Sequence, residues 1–317
     1  MLISPYVLVL LLLFFWDTPS NQSNMEWGFF AHKKINELAI YTLPEDLIGF
    51  YKIHQNDIVK RAVNPDQRRY VIDEEGPRHY IDLDKFTKTP LPLSWNKAIE
   101  VYSLDSLEAY GVLPWNIMLY YRRLIRAMSH KDIESVVRLS ADLGHYVADA
   151  HVPLHTTSNY NGQLTGQTGI HAFWESRLPE LFFDQYDLFT GRAVFIADPA
   201  DTIWDRIFEA NDLVDSLLHL DIALTREMGK TRKYGFETKG KKQVKMVTYE
   251  FAKAYNKAFP FVELQLRRSI WLIGSLWYSA WVEAGKPTLT GLTYRSHADS
   301  TEKIRVKAIL HPRPHEH

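Results

Sequence analysis

Between His145 and His155 the chain reads HYVADAHVPLH, three histidines and one aspartate in a stretch whose other side chains are apolar or small. On a helix, positions i and i+4 share a face, so His145 and Asp149 point the same way. Pro153 ends that helix, because it lacks an N–H and its ring disturbs the preceding turn. His155 lies just past the break and can turn back toward the same side. His151 is two residues beyond Asp149, roughly 200° around the helix, and belongs to another face. Imidazoles and a carboxylate on ground otherwise suited to a core are costly unless they are paired or bind a cation. The fold has to provide one of these two solutions.

The same spacing recurs at His171 and Glu175, after the polar, glycine-containing loop Thr156–Gly169. Two His-x-x-x-acid pairs and His155 fit either hydrogen-bonded core pairs or a metal-ligand set whose carboxylates can bridge two ions. The chain has no cysteine, which excludes disulfides, thiol nucleophiles and cysteine-held metals. Any metal is left to His, Asp, Glu or backbone donors, a set that suits zinc and, where rich in carboxylate, manganese or magnesium. Two more stretches carry the same chemistry. WGFFAH holds Trp27 and His32, and PDQRRYVIDEEGPRHYID holds Asp66 and His79.

Apolar residues at three- and four-residue spacing predict helices over Ala31–Tyr41, Pro44–Arg61, Pro114–Met128, Lys131–Ala150, His171–Leu178, Ala200–Met228 and Thr248–Ala284, with helical periodicity resuming near Asn96. Gly285-Lys286-Pro287 is a stop signal. Residues 64–93, rich in Pro, Asp, Arg and Tyr, read as a long irregular excursion of the kind that often carries function. Lys230–Val247 (KTRKYGFETKGKKQVKMV) reads as a basic linker or flap, solvated or touching substrate or membrane. No strand-rich block or internal repeat stands out, so the expectation is one all-α, multi-helix domain over residues 25–290, with a C-terminal tail at 291–317. The 46% of apolar residues are enough for its core.

The run VLVLLLLFFW, Val7–Trp16, is shorter than the roughly 20 residues of a bilayer span. It fits the apolar region of a secretory signal within residues 1–24, or an uncleaved anchor, so the expected location is secreted or periplasmic, membrane-anchored in the second case. The net charge of −1 offers no basic stripe for bulk binding to duplex nucleic acid or an anionic membrane. A small phosphate-bearing substrate remains compatible, and no obligate protein partner is implied.

Taken together, Trp27, His32, Asp66, His79, His145, Asp149, His155, His171 and Glu175 resemble, in order and context, the motif of the zinc-dependent phospholipase C family, which shares an all-α, three-zinc fold with the single-strand-specific nucleases. The resemblance spans about residues 27–180. It implies one zinc on Asp66, His79, His145 and Asp149, a second on His155, His171 and Glu175, and a third on His32, Asp149 and the amino group and carbonyl of Trp27. Here Met25-Glu26 precedes Trp27, so the third site depends on where the chain is processed. The implied activity is zinc-dependent hydrolysis of phosphodiesters with a metal-bound hydroxide as nucleophile, Asp66 orienting the water or accepting its proton. Arg68, Tyr160 and Phe173 are the candidate substrate-binding residues.

Glu at position 175 and the lack of cysteine lean toward the phospholipase branch, with phospholipid as substrate. A single-strand nuclease is the alternative; it calls for an aromatic platform beside the metals, for which Tyr70, Tyr80, Tyr160 and Phe173 are available. A non-catalytic metal-binding module is the third reading.

Overall fold

The computed structural model of the chain describes residues 28–86, 91, 93–239, 242–289 and 291–293. The expectations for residues 1–24, for Trp27 and for the tail beyond 293 lie outside these residues. Fifteen helices run through the described chain: α1 (Gly28–Ile40), α2 (Glu45–Ile53), α3 (Gln55–Arg61), α4 (Asn64–Arg68), α5 (Trp95–Tyr102), α6 (Leu104–Tyr110), α7 (Leu113–Ser129), α8 (Ile133–Asp149), α9 (Ile170–Ala172), α10 (Leu178–Phe182), α11 (Pro199–Asn211), α12 (Val214–Met228), α13 (Lys230–Lys233), α14 (Tyr249–Ala258) and α15 (Phe261–Glu283). The architecture is all-α, as the apolar spacing predicts. No helix of the described residues is long and apolar enough to cross a membrane.

Where long helical tracts were expected, the chain breaks them. Pro44–Arg61 divides at His54, Ala200–Met228 at Asp212-Leu213, and Thr248–Ala284 at Phe259-Pro260, where proline cannot continue the preceding helix. The excursion at 64–93 is more ordered than its composition suggests. It contains α4, a 3-10 segment Asp73–His79 and a 3-10 turn Leu83–Lys85. Gly285 takes a positive φ just after α15, the conformation a helix C-terminus favours.

The described residues hold no strand-rich block, but one segment is neither helix nor plain linker. The flap at 230–247 is α13 followed by a two-stranded antiparallel hairpin, β1 (Tyr234–Lys239) and β2 (Lys242–Val247), with Tyr234 opposite Val247. The alternation of β-branched and aromatic residues with polar ones over so few positions suits a ribbon, and a short apolar set is ambiguous between periods. Its base is anchored by a buried ion pair. Lys233 Nζ reaches Asp221 of α12 at 2.6 and 2.7 Å, and Gln167 donates to the same carboxylate at 2.9 Å.

The core is organised around α8, which is buried on every side from Leu139 to its end. A helix buried all round needs neighbours close on several faces. Tyr51 of α2 stacks on Trp277 of α15, its hydroxyl meets Ser140 Oγ at 2.9 Å, and Trp277 Nε1 donates to the Ser140 carbonyl at 3.1 Å. α1 comes so near α8 that a Cβ on Gly144 would collide with the buried Asn36 side chain. This approach brings His32, one turn before Asn36, against His145, whose ring it stacks on at 4.0 Å.

Gly144→Ala is therefore expected to overpack this contact and destabilise the fold by about 1–3 kcal/mol. Chemical denaturation with an unchanged m-value and a lower midpoint is the readout; an unchanged midpoint would mean that α1 does not need the gap.

Candidate metal centre

Eight titratable side chains converge from separate stretches of chain. α1 supplies His32, α4 Asp66, the 3-10 segment His79, and α8 His145 and Asp149. His155 follows Pro153 in the 3-10 turn Pro153–Thr156, and His171 sits in α9. Glu175 lies in the single π turn Phe173–Arg177, a widened turn of a type that recurs at functional sites. Within this cluster, three groups each present ligand atoms within 4.8 Å of one another: His32, His145 and Asp149; Asp66, His79 and His145; and His155, His171 and Glu175.

Asp149 joins the groups. Its Oδ2 lies 2.9 Å from His79 Nδ1 and 3.3 Å from His145 Nε2, while Oδ1 lies 3.5 Å from His32 Nε2 and 3.7 Å from His155 Nδ1. Asp66 Oδ1 is 3.7 Å from both His79 Nδ1 and His145 Nε2. On the other side, Glu175 Oε2 meets His171 Nε2 at 2.7 Å and His155 Nε2 at 3.5 Å, and its Oε1 lies 3.4 Å from His32 Nε2. His32 thus stands between Asp149 and Glu175, so the groups are contiguous. α1 begins here: a Cβ on Gly28 would lie 3.7 Å from Glu175 Oε1. Trp27 itself is outside the described residues.

The donor set fits divalent cations. His145 Nδ1 donates to the Ala62 carbonyl at 2.9 Å and His155 Nδ1 to the His79 carbonyl at 2.7 Å. In each ring this leaves Nε2 as the nitrogen facing the cluster, the arrangement by which backbone carbonyls orient metal-binding histidines. Ring nitrogens then face each other directly, His145 Nε2 with His79 Nδ1 at 3.1 Å and His155 Nε2 with His171 Nε2 at 3.0 Å. Nitrogen lone pairs that close repel unless a proton or a cation lies among them.

The ionisation pattern has the same origin. Burial opposes charge on His145 and His155, but Asp149 with Asp66, and Asp149 with Glu175, outweigh it and raise both to about 9. Burial would push the carboxyls of Asp149 and Glu175 up, yet the histidines around them hold both well below the usual carboxylate range. His79 is pulled down to about 4 by burial, against the opposing contact with Asp149.

The remaining candidates divide. Tyr160 stands edge-on to His171, ring centroids 6.0 Å apart. Arg68 and Phe173 do not reach the mouth. Arg68 turns inward, donating to Asp142 Oδ1 at 3.2 Å, Glu75 Oε1 at 3.3 Å and the Tyr146 hydroxyl at 3.1 Å, so its donors are spent on the interior. Phe173 is core, packed against Tyr255 and Phe251 with centroids at 5.0 and 5.9 Å. His151 is buried with Nδ1 on the Val147 carbonyl at 2.7 Å; it joins none of the three groups and lines a small apolar cavity behind His32 and Glu175.

Two residues that the sequence reading passed over matter here. Arg69 is half-exposed with Nη1 3.8 Å from Asp66 Oδ1, which places a guanidinium beside this partly exposed carboxylate. Its signal was the i, i+3 spacing from Asp66 on α4. Glu75 is fully buried behind His79, four residues away, the same spacing as the other two pairs with the order reversed.

No family model matches the chain, and no curated protein does. Among solved structures it is similar to the alpha-toxin of Clostridium perfringens from avian strain SWCP, with 14% sequence identity and a TM-score of 0.45 over 83% of this chain. The chain spans 65% of the toxin chain's length.

The raised pKa values of His145 and His155 define a pH signature. Protonation of these rings stabilises the metal-free fold fully below about pH 6.5, the unperturbed value, and that contribution fades as pH rises toward about 9. Cation binding needs the neutral rings and releases their protons. The melting temperature of chelator-treated protein should therefore fall between these pH values while zinc affinity rises over the same range, with proton release in calorimetry. Asp149→Asn should remove both the fall and most of the bound zinc; a variant with wild-type zinc content and pH response would contradict the central role of this carboxylate.

Proposed function

We propose that the chain is a zinc-dependent phosphodiester hydrolase of the phospholipase C type. The observation that carries this reading is the convergence of five imidazoles and three carboxylates, with Asp149 directing one oxygen to each half of the set. His145, His79, Asp66 and Asp149 would hold one ion, and His155, His171 and Glu175 another. His32 and Asp149 would contribute to a third. When bound, zinc supplies Lewis acidity toward a phosphoryl oxygen and brings the pKa of water to about 7.

The chain's own groups complete the chemistry. Asp66 is the most solvent-accessible of the three carboxylates, with 22% of its side chain exposed against 15% for Glu175 and 1% for Asp149. It is the group suited to orient a water or accept its proton. Arg69, exposed over 43% of its side chain and 3.8 Å from Asp66, supplies a cation for the anionic phosphodiester, its planar fork matching phosphate oxygens. The buried histidines exclude bulk water from the inner side of the set, which strengthens every charge interaction there.

A single-strand nuclease of the same kind is the second reading, favoured by one observation. Tyr160 flanks His171 edge-on, with ring centroids 6.0 Å apart, so a phenol ring lies beside the candidate ligand set where a base could stack.

Hydrolysis of a chromogenic phosphodiester should vanish on chelation and return with zinc. The lack of any zinc-dependent turnover would favour a non-catalytic metal-binding module. Phosphatidylcholine and single-stranded DNA or RNA, assayed side by side, separate the two enzyme readings. The adjacent arginines offer a sharper check. Arg69→Gln should lower kcat/KM by roughly 10–100-fold with little change in stability, the worth of a hydrogen bond to a charged group. Arg68→Gln should instead cost about 3–5 kcal/mol of stability, because it leaves buried carboxylates uncompensated. Reversed phenotypes would reverse the assignment.

A further inference from the structure

The five histidines of the cluster do not share one kind of support. His145 and His155 each give Nδ1 to a backbone carbonyl and turn Nε2 inward. His79 is mounted the other way round. Its Nδ1 faces Asp149, Asp66 and His145, and its Nε2 points away into the protein. That Nε2 is buried without a hydrogen-bond partner among the described residues, and the carboxylate facing it is Glu75, with Oε1 at 3.8 Å.

Glu75 is itself held from several sides. Its Oε2 accepts from Arg78 Nη1 at 2.7 Å; its Oε1 accepts from Arg68 Nη2 at 3.3 Å and from the Tyr146 hydroxyl. Arg68 continues to Asp142 on α8, and Tyr146 is the neighbour of His145 on the same helix. The network holds two guanidinium groups and two carboxylates, so it is neutral before His79 is counted. Glu75 is therefore not required to balance excess positive charge from the arginines. Burying four charges is no economical route to stability either, since apolar side chains of similar volume usually serve as well or better. What the network does achieve is a carboxylate of fixed position behind a ring that turns Nδ1 toward Asp149 and has no backbone carbonyl for its buried Nε2.

We infer that Glu75 is a positioning residue for His79: the outer carboxylate that keeps the proton on Nε2, fixes the ring plane and presents the Nδ1 lone pair to a divalent cation. The inference rests on the metal-site reading above and adds a group that the ligand motif does not contain. Histidine ligands commonly give their second nitrogen to a carboxylate or carbonyl, and losing that partner weakens metal binding. Closing 3.8 Å to hydrogen-bond length needs a shift of less than 1 Å, within reach of a ring drawn onto a cation.

Zinc affinity, measured by competition with a chromogenic chelator, gives the test without recourse to catalysis. Glu75→Gln keeps the shape and removes the charge; it should bind zinc about 10–100-fold more weakly than wild type. Arg78→Gln is the control, because it disturbs the same network at Oε2 and leaves Oε1 facing His79; a change below about threefold is expected. The cobalt-substituted protein should show altered visible absorption in Glu75→Gln and wild-type bands in Arg78→Gln. A measurement free of any variant covers the case in which Glu75→Gln does not fold: long-range proton–nitrogen NMR of the zinc-loaded wild type should find His79 protonated at Nε2. Wild-type zinc affinity in Glu75→Gln, equal losses in the two variants, or a proton on Nδ1 would each overturn the assignment. A wild-type protein that binds no zinc would overturn the metal-site reading itself.

Discussion

A fully buried carboxylate, Asp149, with four imidazoles around it, is the interaction on which the rest of this structure depends. An isolated carboxylate in that position would be prohibitively unfavourable, and the fold has solved the problem by drawing cationic or cation-binding groups to it from α1, α8, the 3-10 segment and the turn after Pro153. Each of its oxygens serves a different half of the cluster. The groups that neutralise the carboxylate are those that would share a cation with it, so protons and a bound cation would compete for one set of atoms. That competition gives the site its expected pH dependence and couples metal binding to folding.

The scaffold is shaped to allow this meeting. α8 can carry two of these groups at its buried C-terminal end because neighbours shield it on every side. α1 can bring His32 onto His145 because Gly144 leaves no side chain in the way. A similar approach recurs where a Cβ on Gly274 of α15 would strike Thr42 at the end of α1. The small residues thus set helix separations, and the separations set the distances between ligand atoms. Behind the candidate ligands a second, neutral layer of charge ties α4 and the 3-10 segment to α8 through Arg68, Glu75, Arg78 and Asp142. The inner cluster and this outer network meet at His79, whose ring faces Asp149 on one side and Glu75 on the other.

The two neighbouring arginines show how little separates a structural role from a functional one. Consecutive helical residues differ by about 100° in direction. On α4 that rotation sends Arg68 into the interior and leaves its neighbour Arg69 beside Asp66. Both have the same charge, the same reach and nearly the same place in the sequence. Phe173 illustrates the same limit. It lies between His171 and Glu175 in the chain but points to the opposite side, into the core with Tyr255.

The sequence by itself determined the all-α character, through apolar spacing sustained over most of the chain, and it made the eight described candidate ligands legible, because i, i+4 pairs and a helix-ending proline are local rules. It also carried the signals for Arg69 and Glu75, at three and four residues from Asp66 and His79, although nothing local distinguished them from surface charges. Only the tertiary structure decided which direction each of these side chains takes relative to the others: that Asp149 is shared, that His79 is mounted in reverse, that Arg68 is inside and Arg69 outside, and that the basic segment after α13 forms a hairpin. Local spacing specifies which residues share a face. Which faces meet, and at what distance, depends on packing between elements remote in the chain, and buried charges are placed by the partners that such packing brings.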